Sequence, residues 1–246
     1  VAPKAVLRYN KGSAGAFCAA PANEEKEKRM VKGVIFDMDG LMFDTERLWD
    51  TLWTPCCQKL GMPDPPPDFY TSVRGLAGEN LKRYIAKFFP GHDPQKLLDA
   101  VWAMADERFA RGVPCKPGLK ELLAYLEEKG LPRIVASSSP RNMIEMNLQT
   151  TGVARYFHDV VCGTDVARSK PDPAIFLEAA RRLDLDPRAC LVLEDSFNGV
   201  RAGAAAGAVT VMVPDLAQPT EEIQKLYTRC CKDLFEVLAL LKDGQL

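Results

Sequence analysis

From Val31 onward the chain switches repeatedly between two hydrophobic rhythms. Short unbroken apolar runs predict buried strands over Val31–Phe36, Arg133–Ala136, Val160–Cys162, Cys190–Leu193 and Val209–Val213. Between them, apolar residues recur every three or four positions. That spacing predicts helices over Leu119–Glu128, Arg141–Thr150, Pro173–Leu183, Asn198–Ala206 and Asp233–Leu241. Strands alternating with helices of this length imply right-handed β-α-β units and a parallel sheet. One block breaks the alternation. Glu46–Leu60, Asn80–Phe89 and Pro94–Arg111 all read as helices, with Gly61, the Pro63–Pro67 cluster, Pro90-Gly91 and Gly112 as their stops. This block, 45–112, reads as a helical insertion between the first strand and the next β-α unit. Residues 30–44 and 113–246 then form the core.

Residues 1–29 follow neither rhythm. The first 23 carry Lys4, Arg8 and Lys11 and no acid, and Glu-Glu-Lys-Glu-Lys-Arg follows directly before Met30 and a clean strand. Two readings stand: a transit or weak signal segment, or a translation start at Met30. In both, 1–29 is an extension outside the fold.

Composition narrows the function classes. The 246 residues are 47% hydrophobic with a net charge of −1, which excludes a disordered chain and gives no global attraction to nucleic acid. Leaving 1–29 aside, 26 basic residues face 30 acidic ones, so an anionic ligand must be drawn by local groups. No apolar stretch is long enough for a membrane helix. Eight cysteines without a C-x-x-C, and only His92 and His158 beside them, speak against a zinc site and for a reducing, cytoplasmic setting. If 1–29 is a transit segment, the setting is organellar. Cys162 and Cys190 read as small buried hydrophobes.

The candidate chemistry collects where the strands end. In open parallel sheets ligands bind at the carboxyl ends of the strands. The first strand ends in Asp37-Met38-Asp39-Gly40 and the next in Ser137-Ser138-Ser139. Ser169-Lys170-Pro171-Asp172 precedes a helix, and Cys190–Leu193 ends in Glu194-Asp195-Ser196. Four carboxylates brought together need a cation, and hard oxygen donors favour Mg²⁺. Lys170, the serine hydroxyls and backbone amides supply donors for a phosphate. An aspartate beside Mg²⁺ can act as nucleophile, and a second carboxylate two residues on can carry protons.

Plainer readings of the same residues stand beside these. The Asp37–Asp44 spacing does not fit an EF-hand, whose glycine comes sixth where Gly40 here comes fourth. Gly40 suits a tight turn, Asp44 a helix cap and Glu46 a first-turn acid. Ser137–Ser139 suits a helix N-terminus, which is also a phosphate site. Trp49, Trp53 and Trp102 read as core of the helical block.

Four short motifs, in order and at successive strand ends, carry a resemblance. Val34–Glu46, Ile134–Ser137, Ser169–Asp172 and Leu193–Ser196 resemble the four motifs of the haloacid dehalogenase superfamily. The likeness runs over 31–241. The inserted helices resemble the small cap of its β-phosphoglucomutase-like branch. Phe36–Arg47 and Cys190–Asp215 look most similar to its sugar-phosphate and pseudouridine-5′-phosphate phosphatases.

The resemblance implies an α/β fold, a Rossmann-like doubly wound parallel sheet with an inserted helical cap. It implies that Asp37 attacks phosphorus and that Asp39 serves the leaving group and water in turn. The Asp37 carboxylate, the Asp39 carbonyl and Asp195 would hold Mg²⁺, with Glu194 close by. Ser137, Ser138, Gly40 and Lys170 would bind the phosphoryl group. Arg74, with Glu79, Asn80 and Lys82, would contact the substrate from the cap. Hinges are expected near Leu41–Thr45 and Val113–Gly118.

Asp39 and Asp195 disfavour the haloalkanoate dehalogenase branch. Gly78 stands where the mutase pattern has an arginine, and Pro140-Arg141 replaces its Lys-Asn, so hydrolysis is favoured over the phosphomutase alternative. A retired binding protein is the remote third reading, against which both aspartates speak. The expected partner is a small phosphorylated metabolite, with no nucleic acid or membrane, and the expected state is a monomer.

Overall fold

The computed structural model describes residues 31–246 apart from Arg74, Gly75 and Ala77. In chain order the elements begin with strand β1 (Gly33–Phe36). The helical block follows as α1 (Thr45–Lys59), α2 (Pro67–Val73), α3 (Gly78–Phe88) and α4 (Pro94–Phe109). Then come α5 (Leu119–Glu128), β2 (Arg133–Ser137), α6 (Arg141–Thr150), β3 (Val160–Cys162) and α7 (Ala174–Arg182). The chain continues through β4 (Cys190–Glu194), α8 (Phe197–Ala205), β5 (Val209–Met212), α9 (Glu221–Gln224), β6 (Arg229–Cys230) and α10 (Leu234–Lys242). Among these residues no helix is long and apolar enough to cross a membrane.

The strands form one parallel sheet in the order β3-β2-β1-β4-β5-β6. This is the doubly wound α/β arrangement that the alternating pattern predicts. The chain runs outward from β1 through β2 to β3, then returns to start β4 on the other side of β1. The switch point therefore lies between β1 and β4, where ligand crevices of such sheets open.

Side chains of the central strands alternate between two buried faces, as the period of two requires. Val34, Phe36, Leu191 and Leu193 join the layer that carries Leu122, Leu126, Ile144 and Leu234. Ile35 and Val192 join the opposite layer with Ile175, Phe176, Ala179 and Ala202. With both faces covered, β1 and β4 have no exposed position, which is why they read as unbroken apolar runs. Cys162 and Cys190 are buried among them, as expected.

The helical block has its own aromatic interior. Trp53 packs edge-on against Phe69 at 5.0 Å between ring centres, and Trp49 packs on the rim of the same interior. Trp102 departs from the core role expected of it: it lies edge-on to Trp49 at 5.1 Å but on the solvent side, exposed. Helix α2 lies in a stretch with no predicted element, and α9 and β6 are likewise unforeseen. Each is short: α2 has seven residues, α9 four and β6 two, too few for a period to register.

Two chain segments join the block to the core, and they pair with each other. Asp44 N–H donates to the Pro114 carbonyl at 3.0 Å, and Lys116 N–H to the Met42 carbonyl at 2.8 Å. Phe43 and Cys115 form the antiparallel bridge between them. Beneath this ribbon the Asp215 carboxylate, from the loop after β5, accepts Lys116 at 2.7 Å and Arg47 at 3.0 Å.

Candidate active site

Register brings the strand-end motifs level. Phe36 pairs with Val135 on one side and Leu193 on the other, so Asp37 comes level with Ala136 and Glu194. Its N–H donates to the Leu193 carbonyl at 3.0 Å. Ser137 closes β2 one residue further along, and Glu194 closes β4. Asp37, Ser137 and Glu194 are all buried.

Lys170 reaches this point from the loop before α7. Its ammonium donates to Asp37 Oδ1, to Glu194 Oε1 at 2.6 Å and to the Ala136 carbonyl at 3.2 Å. Burial opposes the charge of Lys170, but Asp37 and Glu194 outweigh it and hold the amine above the ordinary lysine range. Burial drives the Asp37 carboxyl well above the usual range. Lys170 pulls it back, while Glu194 and Asp39 push it further up. Asp195 is raised for the same first reason, with Glu194, Asp37 and Glu46 adding to it.

One oxygen from each of Asp37, Glu194 and Asp195 lies within 4.8 Å of the others. This is a crowded set of hard donors in which burial disfavours the ionised forms of Asp37 and Asp195, and a divalent cation fits it. The two Glu194 oxygens already have partners: Lys170 on Oε1, and the N–H and hydroxyl of Ser196, each at 3.0 Å, on Oε2. Glu194 is therefore the most tightly fastened carboxylate of the three.

Two glycines leave room for the cluster. Gly40 has a φ of +79°, and a side chain there would come 2.9 Å from Asp195 Cγ and closer still to Asp195 Oδ2. A methyl on Gly199, in the first turn of α8, would overlap the Glu194 carboxylate. Ser196 caps that helix by accepting the Gly199 N–H at 3.0 Å.

Asp39 is turned the other way, towards the end of β2. Its Oδ2 accepts the Ser139 hydroxyl at 2.7 Å and the Ser137 hydroxyl at 3.2 Å, and the Ser139 N–H donates back to Ser137 Oγ at 3.0 Å. Asp39 Oδ1 is buried without a hydrogen-bond partner. Ser138 is exposed at the edge of the same loop. Nucleophile and proton-carrier candidates thus sit two residues apart with separate sets of partners.

Of the sequence candidates, Asp37, Asp39, Gly40, Ser137, Ser138, Lys170, Glu194 and Asp195 all lie at the same end of the sheet. Arg74 falls outside the described residues. Glu79, Asn80 and Lys82 lie on α3, where Lys82 pairs with Glu79 at 2.8 Å and Arg83 donates to Asn80. Asp44 corrects an expectation. It occupies the cap position of α1, but its carboxylate takes Arg47 at 2.6 Å instead of a helix amide. A guanidinium one turn along competes for the same oxygen.

The whole-chain comparison agrees with the local geometry. Residues 31–207 match the family model described as haloacid dehalogenase-like hydrolase. The chain belongs to the haloacid dehalogenase-like hydrolase family. Hexitol phosphatase B of Escherichia coli K12 is 32% identical over 188 residues, covering 76% of this chain and 85% of the relative. A protein of Drosophila melanogaster named "Probable pseudouridine-5′-phosphatase" is 35% identical over 196 residues, covering 77% of this chain and 84% of its own. Among solved structures, CbbY from Rhodobacter sphaeroides in complex with phosphate superposes with a TM-score of 0.72 at 25% identity. That match covers 85% of this chain and 96% of CbbY. Family members with phosphatase names thus extend over most of this hydrolase.

Proposed function

We propose that this hydrolase is a Mg²⁺-dependent phosphatase of small phosphomonoesters, a sugar or nucleoside phosphate, acting through an aspartyl-phosphate on Asp37. One observation carries the reading. At the end of the central strand a buried carboxylate is held by a buried ammonium, and a second carboxylate two residues on is oriented by separate donors.

In this reading an Asp37 oxygen attacks phosphorus as the ester P–O bond breaks, and Asp39 gives its proton to the departing alkoxide. A water then attacks phosphorus, its proton passes to Asp39, the bond from phosphorus to Asp37 breaks, and inorganic phosphate leaves. Lys170 neutralises charge on Asp37 and the phosphoryl group. Ser137, with the Ser138 amide and the Gly40 turn, holds the phosphoryl oxygens. Mg²⁺ held by Asp37, the Asp39 carbonyl and Asp195 would supply further positive charge, with Glu194 steadying Lys170 and the site around it. Phosphoryl transfer needs positioning and charge neutralisation above all, and this donor set suits both. Residues 45–112 serve as the cap that covers the site, and the paired segments around Phe43 and Cys115 serve as its hinge.

The test is release of inorganic phosphate from a panel of hexitol, hexose and nucleoside phosphates, with Mg²⁺ and with EDTA, in wild type and Asp37→Asn. Mg²⁺-dependent release that vanishes in Asp37→Asn is the expected result. Turnover of no phosphomonoester overturns the reading, and isomerisation without phosphate release replaces it with the mutase.

A further inference from the structure

Three serines follow one another at the end of β2, and the hydrogen bonds divide their work. Ser137 Oγ holds Asp39 Oδ2 at 3.2 Å, a long contact for two oxygens. Its role as a phosphoryl donor takes that proton elsewhere once substrate is bound. The contact from Ser139 Oγ is 2.7 Å, the ordinary length of a good O–H···O bond, and it survives the change.

Ser139 is firmly mounted. Its N–H is tied to Ser137 Oγ. The next residue, Pro140, has a fixed φ of −60° and a carbonyl that accepts Met143 N–H at 3.0 Å and Ile144 N–H at 3.1 Å. With Oδ2 occupied by this donor, the oxygen left to carry a proton is Oδ1, which is buried and has no partner.

We infer that Ser139 is a positioning residue for Asp39: its hydroxyl fixes one carboxylate oxygen so that the other faces the leaving group. The inference rests on the phosphatase reading and goes beyond it, because it assigns Ser139 to proton transfer and not to phosphate binding. The two roles separate by leaving group. An alkoxide needs a proton as it departs, whereas p-nitrophenolate leaves without one. The parameter kcat/KM reports the steps through departure of the alcohol, and kcat includes the hydrolysis of the phosphoenzyme.

The experiment compares Ser139→Ala, Ser139→Cys and Ser139→Thr with wild type, all with Mg²⁺. The substrates are p-nitrophenyl phosphate and the best alkyl phosphate of the panel. Losing a hydrogen bond to a charged group predicts a drop of about ten- to a hundredfold in kcat/KM for the alkyl phosphate in the Ala and Cys variants. For p-nitrophenyl phosphate kcat/KM stays within about threefold while kcat falls, because water activation also uses Asp39. Ser139→Thr keeps the hydroxyl and retains kcat/KM for the alkyl phosphate within about threefold of wild type.

Equal losses of kcat/KM on both substrates make Ser139 a phosphate ligand or a structural residue and overturn the inference. So does no loss on either, or failure of Thr to rescue. Should wild type turn over neither substrate, the phosphatase reading itself falls and takes this inference with it. Any failure confined to the variants leaves that reading standing.

Discussion

Replacing Gly199 with alanine sets a local preference against a tertiary contact. Gly199 is the third residue of α8, where alanine is preferred over glycine by about 1 kcal/mol in a helix interior. On propensity alone the substitution stabilises. The tertiary surroundings reverse the sign, because the new methyl would overlap the Glu194 carboxylate. A side-chain tip in that position can usually swing away. Glu194 is fully buried, and its oxygens are tied to Lys170 at 2.6 Å and to Ser196 twice at 3.0 Å. Moving it breaks a buried ion pair, at about 3–5 kcal/mol. Set against the propensity gain of about 1 kcal/mol, the net loss is about 2–4 kcal/mol. For a chain of this size that lowers Tm by about 4–16 °C. Calorimetry of the Mg²⁺-free protein measures it, and turnover should fall with it because Lys170 loses its second anchor. A Gly199→Ala protein that melts at or above the wild-type temperature with unchanged turnover would refute the reasoning.

Lys170→Met leaves Asp37 and Glu194 without their shared cation. It should cost about 3–5 kcal/mol of stability by urea unfolding and nearly all turnover, and a stable, active Met variant would count against the charge argument. Burial raises Asp37 and Asp195, and a raised carboxyl contributes its full stability below its unfolded value of about 4 and loses it as pH climbs through the folded value. EDTA-treated protein should therefore lose stability from about pH 4 upward as far as these two groups dominate, most visibly as a difference from Asp195→Asn, and a difference of opposite slope would contradict it. Mg²⁺ at a hundred times its dissociation constant should restore about 2.7 kcal/mol, or about 5–11 °C in Tm, and this gain should vanish in Asp195→Asn. Asp215→Ala removes the acceptor that joins Lys116 and Arg47 beside the paired segments around Phe43 and Cys115. Arg47 is largely exposed and adds little, so the expected loss is about 1–3 kcal/mol, carried by Lys116 and checked by a double-mutant cycle with Lys116→Met.

The parts readable in the sequence are those where one residue type needs no distant partner to explain it. Apolar runs such as Val34–Phe36 and Leu191–Leu193, alternating with helical patterns, read as buried strands, and the acids directly after them then lie at strand ends. Asp37, Asp39, Lys170, Glu194 and Asp195 became candidates in this way, through their order along the chain, and the fold places them at one end of the sheet. Ser139, Ser196, Gly199 and Asp215 were not assigned functional or supporting roles. Ser139 looks like its two neighbours until the angle of the loop aims it at Asp39. Ser196 and Gly199 look like any helix start until Glu194 is folded beneath them. Asp215 follows the strand Val209–Met212 as an ordinary loop acid, and only the fold brings it the cations of Lys116 and Arg47.

By itself the sequence determined the alternation of strands and helices, the insertion after the first strand and the four strand-end motifs. Each of these depends on spacing along one stretch of chain. Tertiary structure decided the strand order that sets Asp37 level with Glu194, the different contacts that Ser137 and Ser139 make with Asp39, and the pairing of the two segments that join the helical block to the core. Those depend on groups separated by scores of residues, whose meeting is chosen by packing on both faces of the sheet and leaves no period in the chain to read.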